Sequence, residues 1–548
     1  MRLSQLSLSV LLLSASSLVA AAPVNTLINC VATPPMKLSP AITNDANDFN
    51  ASSQQIYNRL LAFKAGELTV EPSLAERWEI SDDGLSYTFH LRKDVKFHSN
   101  KQFTPTRTLN ADDVVFSFQR QMDLNHPYHK VSDGTYFYYH WMNLPKILKT
   151  VEKVDDYTVK ITLQQPNAPF LTTLAMDFLS IYSKEYADKL LAEGKPELLD
   201  QAPIGTGPFV FQAYQTDQAV RYVANPDYFQ GKAKFEKLIF SITPDAGTRY
   251  AKLKAGECDV IDFPNISDIA QMKQDPKVNL LQRDGLNLAY IGLNSTKPAL
   301  NNAKVRQALH YATDKKAIVE AVYQGGGTVA SNPFPDSVLG YNPNLPQYEF
   351  NLEKAKALLT EAGFADGFET EIWVQPVVRP SNPNPRRTAE IIQADWAKIG
   401  VKAKLVTHEW ADFNKRTREG EFSTGTYGWT SRNGDPDNFL FPLLSKSNIP
   451  GTNYGRWTDE KFEQLLAQAV QTQNRDERAK LYQQAVEIAN EQTPFIPLAH
   501  AINYVPLSKR VQGFVQNPFG YTPFYGVSLY RSDMPYKRSI FATFCKMW

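Results

Sequence analysis

The chain carries two different patterns of apolar and polar residues. Over residues 27 to about 244, apolar and polar positions alternate in short runs, as in residues 87–91 and 157–163. This alternation has the period of a half-buried strand, and Asp and Gly residues beside the runs favour turns. The first half is therefore predicted to consist mainly of antiparallel strands with short helices between them.

From about Gly285 onwards, apolar residues recur every three or four positions, which is the period of a helix with one buried face. The segments with this pattern are residues 305–323, 352–362, 388–399, 458–469 and 475–490. Strand patterns stand between and after them, at residues 401–405 and 495–504. Helices alternating with strands predict crossover connections and mixed sheets, so the fold class is α/β.

The order of these patterns predicts two lobes. We assign residues 22–284 to lobe 1, residues 285–502 to lobe 2, and residues 503–530 to a strand-rich return to lobe 1. Residues 531–548 lack caps and periodicity and are predicted to form a loosely ordered tail. Two lobes joined by more than one crossing favour hinged closure over a ligand that lies between them.

One stretch in the last third of the chain combines turn residues with contact residues. Residues 428–439 are rich in Asn, Gly, Asp and Pro, which predict an irregular loop. Trp429 and Arg432 stand inside this stretch, and a flat aromatic beside a cation is typical of a small-molecule contact surface. The alternative is an ordinary surface turn.

The first residues have the features of a secretory signal peptide. Arg2 precedes an apolar run, and Val19, Ala20 and Ala21 form a small-residue cleavage site. We expect residues 1–21 to be removed on export across the inner membrane, which places the mature protein in the periplasm. No later stretch reaches about 18 uninterrupted apolar residues, which predicts a soluble mature chain.

Composition narrows the classes of partner. The chain has 548 residues and a formal net charge of +1, which argues against a nucleic-acid-binding surface. Its 43% hydrophobic and 21% charged residues are typical of a globular protein with a full core. Aromatic residues make up 12%, which suits a protein that lines a cavity with flat side chains.

Three cysteines are present: Cys30, Cys258 and Cys545. Because the exported chain meets an oxidising compartment, we predict a disulfide between Cys30 and Cys258 that closes a long loop and leaves Cys545 unpaired. The odd number of cysteines keeps free thiols open as the alternative.

Common catalytic motifs of exported enzymes are missing from the sequence. It contains no Gly-x-Ser-x-Gly and no His-Glu-x-x-His motif. Histidines are densest at His126, His129 and His140, where a metal or haem ligand is conceivable. Since Pro127 interrupts helical spacing there, we interpret them as surface and loop histidines. We predict no catalysis, no cofactor and no metal.

Several ordered motifs resemble a known family. They are Pro-Ser-Leu-Ala-Glu-Arg-Trp at 72–78, Gly-Leu-Ser-Tyr-Thr-Phe-His-Leu-Arg at 84–92, Asn-Ala-Asp-Asp-Val-Val-Phe-Ser-Phe at 110–118, Gly-Thr-Gly-Pro-Phe at 205–209 and Val-Arg-Gln-Ala-Leu at 305–309. The chain resembles, over residues 27–529, the peptide-binding group of extracytoplasmic solute-binding proteins, which serve ABC importers. Further segments are similar to the dipeptide-binding branch and, more closely, to the haem-binding and glutathione-binding branch; they are residues 57–60, 176–182, 379–384 and 519–526.

This resemblance implies a two-lobed periplasmic binding protein fold with a hinged cleft and an extra subdomain in lobe 1, at about residues 60–185. It also implies the Cys30–Cys258 disulfide. By motif position, Arg379 is the residue that pairs with the ligand's carboxylate, and a bidentate guanidinium suits that role. The alternative for Arg379 is a solvated loop arginine.

The resemblance also reveals a departure. In dipeptide-binding relatives an Asp of the loop meets the ligand's ammonium group, and Arg432 occupies that position here. Two like charges in a closed cleft repel strongly, so a free-amine dipeptide in the family pose is disfavoured. Asp435 or Asp437 could meet the amine in a shifted pose, or Arg432 could receive a second carboxylate. The alternative is that Arg432 points to solvent.

Other predicted ligand contacts come from both lobes. Lobe 2 contributes Trp429 and the backbone donors of Asn433 and Gly434; lobe 1 contributes a facing segment with Asn50, Ser52 and Ser53.

We therefore predict a monomeric periplasmic receptor that delivers a peptide-like solute to an ABC permease in the inner membrane. The charge of Arg432 favours a polyanionic peptide such as glutathione, while dipeptides, tripeptides and haem stay open as ligands. The alternative of another class is an exported peptide or ester hydrolase, and a third is a chaperone-like protein of the same fold.

Overall fold

The computed structural model describes residues 25–530. The predicted signal peptide (1–21) and the predicted tail (531–548, with Cys545) lie outside the described residues. None of the helices between residues 25 and 530 is both long and apolar enough to cross a membrane.

The strands follow one another along the whole described chain. In chain order they are β1 Thr26–Val31, β2 Leu61–Phe63, β3 Val70–Pro72, β4 Ala75–Ile80, β5 Ser86–Leu91, β6 Leu148–Asp155, β7 Thr158–Leu163, β8 Phe209–Gln215, β9 Ala219–Ala224, β10 Lys237–Ile242, β11 Val260–Ile261, β12 Val278–Asp284, β13 Asn287–Leu293, β14 Gly327–Val329, β15 Glu369–Trp373, β16 Lys402–Val406, β17 Thr424–Thr430, β18 Phe495–Ser508, β19 Val511–Gln512 and β20 Ser528–Leu529.

The α-helices are short in the first half and longer in the second. They are α1 Ala46–Ala51, α2 Ala111–Met122, α3 Phe137–Trp141, α4 Leu144–Ile147, α5 Phe170–Leu174, α6 Lys184–Ala192, α7 Leu198–Gln201, α8 Ala246–Ala255, α9 Ile269–Gln274, α10 Ala303–Tyr311, α11 Lys315–Ile318, α12 Leu352–Glu361, α13 Pro385–Ala397, α14 Trp410–Glu419, α15 Asp437–Leu444, α16 Glu460–Gln471 and α17 Arg475–Gln492.

A mixed sheet runs through both lobes. Its first part has the order β8-β9-β10-β1-β11, with β1 parallel to β10 and β11. Its second part has the order β16-β15-β17-β13, with β15 parallel to its two neighbours and β13 antiparallel to β17. We call these parts, with the helices packed on them, the first and the second lobe. Parallel strands joined by helices are the architecture that the α/β pattern predicted.

The long strand β18 joins the two lobes. Its first half pairs with β13 and β14 of the second lobe up to Ala501. From Ile502 onwards it pairs with β12, and Leu507 also pairs with β11. The chain therefore returns to the first lobe along one continuous strand. The residues after it stay there, because Arg510 donates to the buried carboxylate of Asp259 at 2.7 Å.

A separate antiparallel sheet of order β4-β5-β7-β6 extends the first lobe. Every second residue of β5 and β7 is buried, as the alternation in the sequence predicts. Helix α2 begins at a capping box, in which the Asn110 side chain accepts from the first turn and Asp113 accepts from the Asn110 backbone N–H at 2.9 Å.

The helix predicted over residues 305–323 is interrupted. It consists of α10, α11 and a π turn over Val319–Tyr323. The interruption has a local cause: the Asp314 side chain accepts from the N–H of Ala317 at 3.0 Å and so caps a new helix. The periodicity of apolar residues continues through the break and does not reveal it.

The disulfide between Cys30 and Cys258 is present, with a Cα–Cα distance of 5.8 Å and both residues buried. It links β1 to the residues just before β11, which is its neighbour in the sheet. The prediction of this pair is confirmed.

Candidate functional site

The irregular stretch predicted at residues 428–439 is shorter than expected. Strand β17 continues to Thr430, which pairs with Asn287 of β13, and α15 already begins at Asp437. Only residues 431–436 are irregular, and we call them the 431–436 loop. The sheet pairing of β17 outweighs the turn preference of the residues at its end.

The loop uses its own polar groups to hold its shape. The Ser431 hydroxyl accepts from the N–H of Gly434, and the Asn433 carboxamide oxygen accepts from the N–H of Asp435, both at 3.0 Å. The backbone donor predicted at Gly434 is therefore used inside the loop. The side-chain amide of Asn433 is buried and has no hydrogen-bond partner among residues 25–530.

Helix α17 fixes the loop from behind. Arg478 donates two hydrogen bonds to the Asp435 carboxylate, at 2.8 and 2.6 Å, and a third to the Tyr482 hydroxyl at 2.8 Å. Burial opposes the charge of Arg478, but the Asp435 carboxylate outweighs burial and raises the pKa of Arg478. The Asp435 carboxylate is thus occupied by a structural ion pair.

Arg432 points from the loop towards the first lobe. Its guanidinium donates to the carbonyl oxygen of Phe519 at 3.3 Å and lies 5.3 Å from the ring centre of Tyr521. Its Nε is buried without a hydrogen-bond partner in the described part of the chain. Burial opposes its charge, yet the hydroxyls of Tyr521 and Tyr138 raise the pKa of Arg432. The Asp177 carboxylate of the first lobe also raises the pKa of Arg432, but no carboxylate of residues 25–530 forms a direct ion pair with it.

Trp429 and Asn438 connect the loop to the first lobe. The Trp429 indole N–H donates to the carbonyl oxygen of Asn438 at 2.6 Å. The Asn438 side chain accepts from the N–H of Arg432 at 3.1 Å and contacts the sulfur of Met142, in the first lobe, at 3.3 Å. Sequence reasoning missed Asn438, Met142 and Tyr138, because no motif connects residues so far apart in the chain.

The predicted first-lobe residues mainly support neighbouring segments. Asn50 accepts from the backbone N–H of Thr522 at 2.9 Å and so positions the residues next to Tyr521. Ser52 and Ser53 are buried; Ser52 donates to a backbone carbonyl within its own helix, and Ser53 donates to Asp177 at 2.6 Å.

Arg379 lies at the surface of the second lobe. Its side chain is exposed and stacks over Trp410, with 5.2 Å between the guanidinium carbon and the ring centre. The turn that carries Arg379 lies against the end of β17, because a Cβ added at Gly428 would stand 2.3 Å from the hydroxyl of Ser381. Arg379 is therefore near the loop but is held by an aromatic ring at the edge.

Asp437 is the first residue of α15 and lines a cavity between the lobes. Its Oδ1 is buried and has no hydrogen-bond partner within residues 25–530. Burial, and then the nearby Asp435 carboxylate, raise the pKa of Asp437 to about 7.

The three clustered histidines have separate surroundings. His126 accepts from the N–H of Tyr128 at 3.2 Å, His129 lies 2.9 Å from the carbonyl oxygen of Arg120, and His140 is exposed. Over the described part of the chain, no group of three or more His, Cys, Asp and Glu side chains could hold a metal ion.

Comparison with known proteins gives consistent matches. Residues 69–451 match the family model described as "Bacterial extracellular solute-binding proteins, family 5 Middle". The chain is 59% identical to heme-binding protein A of Haemophilus influenzae over 505 residues, and this aligned region covers 92% of each of the two chains.

Solved structures give the same result. The structure of HbpA2 from Haemophilus parasuis is similar with a TM-score of 0.87 and 82% identity, covering 92% of this chain and 100% of that one. The ABC transporter-associated periplasmic binding protein DppA from Helicobacter pylori, in complex with the peptide STSA, gives a TM-score of 0.82 and 37% identity over 92% and 98% of the two chains.

Proposed function

Because the chain belongs to the bacterial extracellular solute-binding proteins of family 5, we propose that it is a periplasmic receptor that binds a peptide-like solute between its lobes and delivers it to an ABC permease. A relative at 37% identity, the ABC transporter-associated periplasmic binding protein DppA from Helicobacter pylori, was solved in complex with a peptide. The receptor acts by binding and release and carries out no reaction.

The solute is an anionic peptide. The observation that supports this is the environment of Arg432: a cation between the lobes, covered by Phe519 and Tyr521, with no carboxylate partner in residues 25–530. A desolvated guanidinium without a counter-ion favours a ligand carboxylate and repels a ligand ammonium group. Glutathione, with two carboxylates, fits this requirement; haem, with two propionates, is the second candidate and also occurs in the name of a close relative.

Closure involves the whole molecule. We take residues 22–284 and 503–530 as one lobe, 285–502 as the other, and 60–185 as the added subdomain, with a cleaved signal peptide at 1–21. Strand β18 changes partners between Ala501 and Ile502, which suits a hinge between these units. Arg379, on its turn near β17, would reach the ligand's second carboxylate once the solute has displaced it from Trp410. The receptor acts as a monomer.

Calorimetric titration with Ala-Ala, oxidised glutathione and haem at one salt concentration tests the proposed ligand class. We expect oxidised glutathione to bind most tightly. Arg432→Gln is expected to weaken its binding by about 10- to 100-fold, the range of one charge-assisted hydrogen bond. Arg386→Gln, an exposed arginine paired with Glu390 on α13, is the matched control and should bind as wild type does.

Two results would contradict the proposal. Tighter binding of Ala-Ala than of either anionic ligand would overturn the assignment of Arg432, and unchanged affinity in Arg379→Ala would remove Arg379 from the site. Mass spectrometry of the small molecule that copurifies with the folded protein identifies the natural solute. Peptide recovered intact after incubation with the protein separates a receptor from a hydrolase.

A further inference from the structure

A cavity of about 170 Å³ lies between the two lobes, beside the 431–436 loop. One wall belongs to the first lobe, with Trp141, Asn143 and Asn167; the other belongs to α15 and α16, with Asp437 and Glu463. Complete ligand pockets measure about 300–1,000 Å³, so this cavity has room for one chemical group of a solute and not for a whole peptide.

The ionisable side chains that line the cavity are both acids. Asp437 and Glu463 line it, and none of its lining residues is Lys, Arg or His. Glu463 accepts from the hydroxyl of Ser445 at 3.0 Å and from the N–H of Lys446 at 2.7 Å, which ties α15 to α16. Asp437 has no such partner at Oδ1.

The nearest arginine does not neutralise Asp437. Arg478 already donates two hydrogen bonds to the Asp435 carboxylate and another to the Tyr482 hydroxyl. The groups that act on Asp437 from the neighbouring elements are Asp435, Arg478 and Tyr482, and burial together with Asp435 outweighs Arg478, so that the pKa of Asp437 is raised. A buried carboxylate in this condition gains most from a cation that enters with the ligand.

The remaining lining supports the same ligand chemistry. Trp141 presents a flat aromatic surface, which attracts ammonium and guanidinium groups. Asn167 is buried, and its side-chain amide forms no hydrogen bond within the described residues, so its oxygen can accept from an N–H of the ligand. Cation-binding groups thus come from both lobes.

Arg432 and Asp437 both lie beside α3, a short helix of the first lobe. Tyr138 of α3 acts on Arg432, while Trp141, at the end of α3, lines the cavity with Asp437. Asn438 follows Asp437 in the chain, and its side chain accepts from the backbone N–H of Arg432 and contacts the sulfur of Met142. Tyr138 and Trp141 are three residues apart on α3 and their ring centres are 5.3 Å apart, so the anion site and the cation site lie next to each other along this helix.

We propose that the cavity is a second subsite that takes the cationic group of the solute, with Asp437 as its counter-ion, while Arg432 takes an anionic group. The cation is an ammonium or guanidinium, supplied either by the terminal amine of a peptide or by a basic side chain. This inference rests on the proposed function, since it assigns the opposite end of the same peptide-like solute.

The test uses calorimetry with the mature protein and three peptides: Glu-Ala-Ala, acetyl-Glu-Ala-Ala and acetyl-Glu-Ala-Lys. We expect acetylation of Glu-Ala-Ala to weaken binding to wild type by about 10- to 100-fold if the terminal amine occupies the subsite. Recovery of affinity with acetyl-Glu-Ala-Lys identifies a basic side chain as the occupant. Either result supports the proposal if Asp437→Asn abolishes the difference in affinity between the peptides.

Two further variants keep the result interpretable. Asp476→Asn changes an exposed acid in the first turn of α17 and should behave as wild type. Ala467→Phe fills the cavity from α16 and should remove the preference for cationic peptides even if Asp437→Asn folds poorly.

Equal binding of the three peptides to wild type, or a preference that survives in both Asp437→Asn and Ala467→Phe, would overturn the subsite and leave the proposed function intact. Failure of wild type to bind any of the three, or oxidised glutathione, would overturn both.

Discussion

Two arginines at the 431–436 loop differ in whether a carboxylate of the protein pairs with their charge. Arg478 meets the Asp435 carboxylate through two hydrogen bonds, so its charge stabilises the loop. Arg432 meets a carbonyl oxygen and aromatic rings and forms no direct ion pair with a carboxylate of residues 25–530, which is why we propose that its charge serves a ligand. At the scale of single residues, function is decided by which charged groups the fold leaves without a counter-ion.

Asp437 predicts a pH dependence of stability. Its pKa is raised from 3.8 to about 7 by burial and by Asp435. Between these values the unfolded chain has lost the proton that the folded chain retains, so this group lowers the free energy of unfolding as pH rises. We expect ligand-free Asp437→Asn to become progressively more stable than wild type as pH rises towards about 7, and the difference to level off above it.

Thermal melting of both proteins across this pH range measures the effect. Asp476→Asn, whose exposed carboxylate is remote from the cavity, is the control and should give no such trend. A stability difference between Asp437→Asn and wild type that is independent of pH would contradict the assignment of the buried acid.

At the scale of elements, α17 acts as a support for the 431–436 loop. Hydrogen bonds within the loop hold its backbone in shape. Its residue Asp435 also forms a buried ion pair with Arg478, which donates to the hydroxyl of Tyr482 on the same helix. The loop and the helix therefore form one unit, although 43 residues separate Asp435 from Arg478.

Arg478→Met tests this unit. The change leaves the Asp435 carboxylate buried and unpaired, and we expect the free energy of unfolding to fall by about 3–5 kcal/mol in urea denaturation. The exposed pair of Arg386 and Glu390 is the control, since Arg386→Met should lower it by less than about 1 kcal/mol.

The double variant Arg478→Met with Asp435→Leu should recover part of the loss, because no charge is then left unpaired. A loss in Arg478→Met as small as that of the control would show that the loop does not depend on α17.

At the scale of the whole molecule, closure of the lobes depends on close contact across the cleft. Gly434 has a φ of +67°, and a Cβ added there would lie 2.8 Å from Cδ2 of Leu68 in the first lobe. Side-chain atoms do not approach so closely, so an alanine at this position would push against the opposite lobe.

Gly434→Ala is therefore expected to weaken ligand binding by about 5- to 10-fold, because the bound state requires closure. Gly363→Ala is the matched control, with a φ of +86° and open space around the added Cβ. Both variants should lose about 1–2 kcal/mol of stability from the backbone conformation, but only Gly434→Ala should lose affinity. Equal affinities measured by calorimetry would contradict the contact with Leu68.

The elements of the fold could be read largely from neighbouring residues. The alternation in β5 and β7, the capping box at Asn110 and the helical faces of α12 and α13 depend on residues a few positions apart, and the structure confirms them. The break at Asp314 and the late start of the 431–436 loop do not follow from the sequence pattern, because one local cap outweighs periodicity and one sheet pairing outweighs turn preference.

The sequence by itself determined the family, the α/β lobes and the Cys30–Cys258 pair. Only the tertiary structure decided that Asp435 is occupied by Arg478, that Asp437 lines a cavity, and that Met142 of one lobe meets Asn438 of the other. The physical reason is distance along the chain. Propensity, capping and motif order arise among neighbours, whereas burial, counter-ions and cavities arise where segments far apart in sequence are brought together.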